Sequence, residues 1–343
     1  YSRYKFFYAN FLIENKKIEE VKDIFDKVEF IDSTLLLSQG KIWAENNEYK
    51  KFTKIFSCRN HNDIVSEFLF LISNIYSSEN DLNKSNFYSN LSYYLNPKFK
   101  FNLALIVENY YENKEYKKEK KIIQNFNDDD QFYYWFRTKK EAQIIIEEEG
   151  EENGVNFITS KFKKIEKPNF KILFDIANFY KNSKKYEKAV EYYSKIISFL
   201  DEESEIKSEL LYRRGSSYER LKNFKKSDED FINSLNIDPD NAYVLNYLAY
   251  SWLERDHKID QAMDMLKKAY LLKNDDPYII DSIGWAYYLI DNYVEAEKYL
   301  KRAVELMPDD PIVNDHYGDI LWKLGRKIQA RYFWKSVSKM EDV

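Results

Sequence analysis

Small residues recur at Gly215, Ala249, Gly284 and Gly318, at intervals of 34, 35 and 34, each in the same local setting. A period of about 34 residues restricts the architecture strongly, because one such unit cannot bury a core alone and must stack on its neighbours. Within each unit, positions four, seven, eight and eleven share one stripe of a helix, at spacings of three and four. Around Gly284 the stripe reads Ile280, Ile283, Gly284 and Tyr287, and a second helix follows with Ala296, Leu300 and Ala303. Small residues at positions twenty and twenty-seven, such as Ala262 with Ala269 and Ala296 with Ala303, let the two helices cross closely. Pro239 and Pro308 then end the second helix, since proline supplies no backbone N–H to continue it. With seven Gly and six Pro among 343 residues, the composition also favours long helices over a turn-rich β fold.

The order of these residues resembles the tetratricopeptide repeat. Around Gly318 the same slots hold Tyr317, Leu321, Ala330, Trp334 and Val337; around Gly215 they hold Leu211, Tyr218, Ser227, Phe231, Ser234 and Pro239. Arg214 and Asn314 are the slots that depart from type. Leu173, Ile176, Ala177, Tyr180, Tyr186, Ala189 and Tyr193 define a further copy. The expected fold is all-α, an α-solenoid of tetratricopeptide-type helix pairs forming a right-handed superhelix. Its C-terminal array is expected over 170–343, with units near 170–207, 208–241, 242–276, 277–310 and 311–343.

Residues 1–169 are expected to hold about five divergent helix pairs. Leu69, Ile72, Tyr76, Ser85, Ser92 and Pro97 form one copy, and Leu103, Ile106, Tyr110 and Tyr116 begin another that departs at Glu119 and Phe126. Leu36, Gly40, Trp43, Tyr49 and Phe56 suggest a unit, as do Ala9, Leu12, Val21 and Phe25 before it. From about 134 to 169, with Ala142, Gly150, Gly154 and Phe157, the pattern is helical but the motif poor, as in an irregular unit or a bend.

Charge and composition exclude several functions. The 53 basic and 58 acidic residues are finely mixed, so the one-signed field that nucleic-acid binding needs is missing. His61, His257 and His316 are far apart and Cys58 is the one cysteine, so no metal-ligand spacing emerges and no cofactor is expected. Asp281, Ser282 and His316 could be assembled into a catalytic triad, but all fall in repeat helices without a turn to expose a nucleophile. The acidic runs Asp128 to Asp130 and Glu147 to Glu152 lack the glycine and alternating oxygen ligands of a calcium loop and read as solvated segments. No apolar run approaches the roughly 18 residues that a membrane-spanning helix requires.

What remains is a second stripe on the first helix of each pair, at positions two, five, nine and twelve, which faces the inner wall of such stacks. In the last three units it reads Tyr243, Asn246, Tyr250 and Leu253; Tyr278, Asp281, Trp285 and Tyr288; then Ile312, Asp315, Asp319 and Trp322. Large aromatics with Asp and Asn on such a wall suit an extended protein segment bearing apolar and basic side chains. The chain is therefore expected to be a non-catalytic scaffold or adaptor. The alternative is a self-associating or bracing solenoid that acts through convex or terminal surfaces.

Residues 208–343 also resemble a narrower group, the tetratricopeptide-repeat lipoproteins of Gram-negative envelopes. The likeness is carried by Asn246-Tyr247-Leu248-Ala249-Tyr250, Asp281-Ser282-Ile283-Gly284-Trp285-Ala286-Tyr287 and His316-Tyr317-Gly318-Asp319-Ile320-Leu321-Trp322. It implies a periplasmic adaptor anchored to the outer membrane, of the kind that activates a C-terminal processing protease and delivers cell-wall hydrolases to it. A cytoplasmic location is the alternative. The chain begins at Tyr1, so a signal peptide, a lipid-attachment cysteine or further repeats could precede it. The stripe lacks the Lys, Asn and Arg set with which chaperone-binding relatives clamp a C-terminal carboxylate.

Overall fold

A computed structural model describes residues 2–29, 33–126, 130–201 and 204–340. Asp128 and Asp129 of the first acidic run lie outside them. The described residues form twenty α-helices and no strand, the all-α helix-pair solenoid that the 34-residue period requires. Two compact units divide the chain, residues 1–192 and 193–343. Compactness thus changes later along the chain than motif quality, which sharpens at residue 170.

In residues 193–343 the helices are α13 (Glu205–Arg220) and α14 (Phe224–Ile237), α15 (Ala242–Glu254) and α16 (Ile259–Leu272), α17 (Pro277–Leu289) and α18 (Tyr293–Leu306), and α19 (Pro311–Lys323) and α20 (Lys327–Met340). Local chemistry sets each boundary. Asp276 and Asp310 cap α17 and α19, their carboxylates accepting from Ile279 and Val313 N–H at 3.2 and 3.0 Å, with Pro277 and Pro311 in the first turn. The first helix of a pair ends on a left-handed residue, Lys222 (φ 57°), Asp291 (φ 59°) or Gly325 (φ 80°). The following N–H groups then return to the helix, Asn223 to Tyr218 O and Asn292 to Tyr287 O, both at 2.9 Å.

Between paired helices the core is apolar and close. Leu248, Trp252, Ala262, Leu266, Ile283 and Ala286 form one cluster, and Ile280, Ala296, Leu300, Ala303, Ile320 and Leu321 another. A Cβ on Gly284 would lie 2.8 Å from Leu300 Cγ and 3.0 Å from its backbone nitrogen, so only glycine admits this approach. The two slots that depart from type are satisfied locally. Arg214 donates to both oxygens of Asp230, at 2.8 and 2.6 Å, and Asn314 Nδ2 donates to Pro308 O and Asp310 O, both at 2.8 Å.

Residues 1–192 hold α1 (Ser2–Glu14) with α2 (Ile18–Asp26), α3 (Leu35–Glu45) with α4 (Lys50–Ile55), α5 (His61–Ser78) with α6 (Leu82–Leu95), α7 (Leu103–Glu112) with α8 (Tyr116–Ile123), α9 (Gln131–Glu149) with α10 (Glu151–Phe162), and α11 (Phe170–Asn182). Helix α12 (Tyr186–Ile197) contains the division between the units. The poor-motif stretch is a helix pair after all, α9 and α10, turned by Gly150 alone at φ 96°. Its first helix is long and its connection a single residue, which is why the usual spacing fails there. In α5 and α6, serines stand where alanines stand later in the chain. Ser66 Oγ donates to Ser92 O at 2.8 Å and Ser73 Oγ to Ser85 O at 2.7 Å, so close crossing is kept and each hydroxyl is satisfied.

Glu119 is the costly departure. It occupies the small-residue slot of α8, is fully buried, and neither carboxylate oxygen meets a hydrogen-bond partner among the described residues. Burial pushes its carboxyl up to about 7.

Candidate partner-binding groove

The first helices of successive pairs in the C-terminal unit open a groove of about 920 Å³. Helix α13 contributes Tyr212, Glu219 and Arg220; α15 contributes Tyr243, Asn246, Tyr247, Tyr250, Ser251 and Glu254; α17 contributes Tyr278, Asp281 and Ser282; α19 contributes Ile312. Lys222, Phe224 and Arg255 complete the lining. Of the stripe residues, Tyr243, Asn246, Tyr250, Tyr278, Asp281 and Ile312 meet here. Tyr243 and Tyr278 are 45% and 57% exposed, so aromatic surface is presented to solvent.

Beside Asp281, three rings stack. Trp285 lies parallel to Tyr288 at 4.6 Å and to His316 at 4.1 Å, and its indole N–H donates to Glu254 Oε1 at 2.8 Å. The His316 imidazole hydrogen-bonds through Nδ1 to Asp281 Oδ2 at 2.9 Å, both side chains being buried. Burial alone would disfavour the imidazolium, but that bond and the charges of Asp281, Asp315 and Asp319 outweigh it and raise His316 above its ordinary value. Asp281 Oδ1, on the other side of the same carboxylate, is buried without a hydrogen-bond partner among the described residues, as is Asn246 Oδ1.

The remaining stripe residues are distributed differently. Asp315 is exposed and Asp319 half-buried, its carboxyl raised by burial and by Asp315. Trp322 tilts against Trp334 at 5.4 Å with Lys327 over its ring at 5.0 Å. Leu253 does not face the groove: it is 6% exposed and belongs to the core cluster of α15 and α16.

Several groove residues were not picked out from sequence. Tyr212 and Glu219 occupy positions five and twelve of the preceding unit, so the same stripe extended one repeat upstream would have found them. Position six carries a second signal. Tyr247 reaches back to Glu219 at 3.3 Å and His316 reaches back to Asp281, each linking one first helix to its predecessor. Ser282, also at position six, spends its hydroxyl on Tyr278 O at 2.9 Å instead of His316, so Asp281, Ser282 and His316 are not wired as a triad. Among the described residues no group of three or more His, Cys, Asp or Glu could hold a metal ion, and no helix is long and apolar enough to cross a membrane.

The geometry is that of a helical-repeat protein, and family comparison agrees: a tetratricopeptide repeat model matches residues 170–199, 208–241 and 279–310. The chain therefore carries tetratricopeptide repeats. Among curated proteins, the TPR repeat-containing protein PA4667 of Pseudomonas aeruginosa is 35% identical over 91 residues, which span 26% of this chain and 15% of that protein's length. Among solved structures, MamA 41-end from Desulfovibrio magneticus RS-1 is 17% identical, covering 50% of this chain and 95% of that one with a TM-score of 0.42. MamA AMB-1 is 20% identical, covering 49% and 96%, with a TM-score of 0.40.

Proposed function

We propose that this protein is a binding scaffold whose C-terminal groove holds extended segments of other proteins. The observation that carries the reading is the convergence of Tyr243, Asn246, Tyr250, Tyr278 and Asp281, from two successive first helices, on one groove. Exposed tyrosine faces offer apolar contact at low entropic cost, and backbone or side-chain donors of a guest can reach the carboxylate and amide oxygens between them. The likeness of residues 208–343 to envelope lipoproteins supports a narrower version, a periplasmic adaptor that is outer-membrane-anchored and presents substrates to a protease.

A photo-crosslinking amino acid placed at Tyr243 or Tyr278 in cells tests the groove. Adducts with other proteins from these positions, and few from Leu271 on α16, which is 80% exposed, are expected. Equal yields from Leu271 would sink the assignment. The second reading, self-association, rests on α20, which leaves Ile328 and Tyr332 85% and 73% exposed. It predicts instead adducts of twice the chain mass from those two positions.

A further inference from the structure

One buried carboxylate oxygen of the groove lining meets no hydrogen donor among the described residues. Asp281 is 6% exposed, lines the groove, and gives Oδ2 to His316, while Oδ1 is buried with no donor among the described residues. A buried acceptor in this condition costs free energy unless something supplies a hydrogen. Asn246, one helix earlier and lining the same groove, presents a second buried oxygen without a partner. The lining holds three cations, Arg220, Lys222 and Arg255; Arg255 is held by Asp228 at 2.7 Å, and Arg220 lies 3.6 Å from Glu219.

We propose that Asp281 Oδ1 and Asn246 Oδ1 form the socket for one arginine side chain of the segment held in the groove, an inference that rests on the groove reading above. The sign of the guest follows from Asp281 itself, whose carboxylate carries the unpartnered oxygen, while the rest of the lining is balanced, Glu219 and Glu254 against Arg220, Lys222 and Arg255. A cation there makes a charge-assisted hydrogen bond that a neutral donor cannot match. Tyr250 and Tyr278 supply aromatic faces for it. One lining ring already carries a cation of the chain: Lys273 Nζ stands 4.5 Å over the Tyr243 ring and donates to its hydroxyl at 3.0 Å. Arginine is favoured over lysine because two acceptors on separate residues suit a planar fork of donors better than a compact ammonium.

The probe is a random decapeptide library with acetylated N-termini and amidated C-termini, panned on the full 343-residue chain. Arginine should be enriched at one position of the retained peptides. Replacing that arginine by citrulline, which keeps shape and removes charge, should weaken binding about tenfold or more. Asp281→Asn should weaken the arginine peptide similarly and make the two peptides bind alike, whereas Asp315→Asn should leave their ratio unchanged. The citrulline comparison needs no variant protein, so it stands even if Asp281→Asn perturbs folding. Peptides that bind in the groove with citrulline as good as arginine, or whose preference survives Asp281→Asn, overturn the socket and leave the groove reading intact. Retention of no peptide overturns the groove reading and the socket with it.

Discussion

His316 on α19 and Asp281 on α17 are joined by a buried hydrogen bond of 2.9 Å, and this pair ties two successive first helices together at the edge of the groove. The imidazole's affinity for a proton is raised in the folded chain above its ordinary 6.5. The folded state therefore binds that proton more tightly than the unfolded state does. The pair's stabilisation is fully present below pH 6.5 or so and is lost as pH rises through the raised value. Urea titrations followed by tryptophan fluorescence should show the C-terminal unit weakening over that window. Asp281→Asn should flatten the dependence and cost about 1–3 kcal/mol at the acidic end.

Glu119, in residues 1–192, gives a pH dependence of the same sign from a different cause, burial without a partner among the described residues. Its carboxyl is raised from 4.5 to about 7 by burial, so the folded state prefers the protonated form. Stability from this site is greatest below about pH 4.5 and declines up to about 7, beyond which the buried carboxylate is a constant burden. Glu119→Ala, which restores the residue found in the same slot at Ala262 and Ala296, is expected to stabilise the unit by about 1–3 kcal/mol at pH 8. The gain should shrink at pH 4.5. Calorimetry at the two pH values measures both.

Gly284→Ala should destabilise the C-terminal unit by about 1–3 kcal/mol, because the new methyl meets Leu300 at 2.8 Å and cannot be relieved by a side-chain rotation alone while the Leu300 backbone nitrogen stands at 3.0 Å. Chemical denaturation gives the number. At Ala249, which occupies the same position one unit earlier, the helix pair already admits a methyl group.

Lys222→Gly and Asp291→Gly act on the turns instead of the core. Both native residues hold a left-handed backbone, φ 57° and 59°, that disfavours a side chain. Each change should stabilise by about 0.5–1 kcal/mol, net of the freedom that glycine adds to the unfolded chain. A matching rise in the denaturation midpoint, at unchanged slope, is the expected result.

The helix pairs were legible because their cause is periodic: Ile280, Ile283, Gly284 and Tyr287 recur at helical spacing, and spacing survives in a single sequence. The α9–α10 pair was harder to read because Gly150 joins the helices without the usual turn. Six of the twelve stripe positions, Tyr243, Asn246, Tyr250, Tyr278, Asp281 and Ile312, lie together along the groove. What spacing along one helix could not reveal was contact between helices. The burial of Asp281 and its bond to His316 depend on how α19 packs on α17, and so does the unpartnered state of Asp281 Oδ1.

The central claim is that the C-terminal groove holds an extended guest. Hydrogen exchange on the full chain, with and without the tightest decapeptide from the blocked library, tests it most directly. Slowed exchange confined to the groove helices α13, α15 and α17, with α16 and α18 unchanged, is the predicted result. Protection centred on α16, α18 or α20 with α15 and α17 unaffected would contradict it.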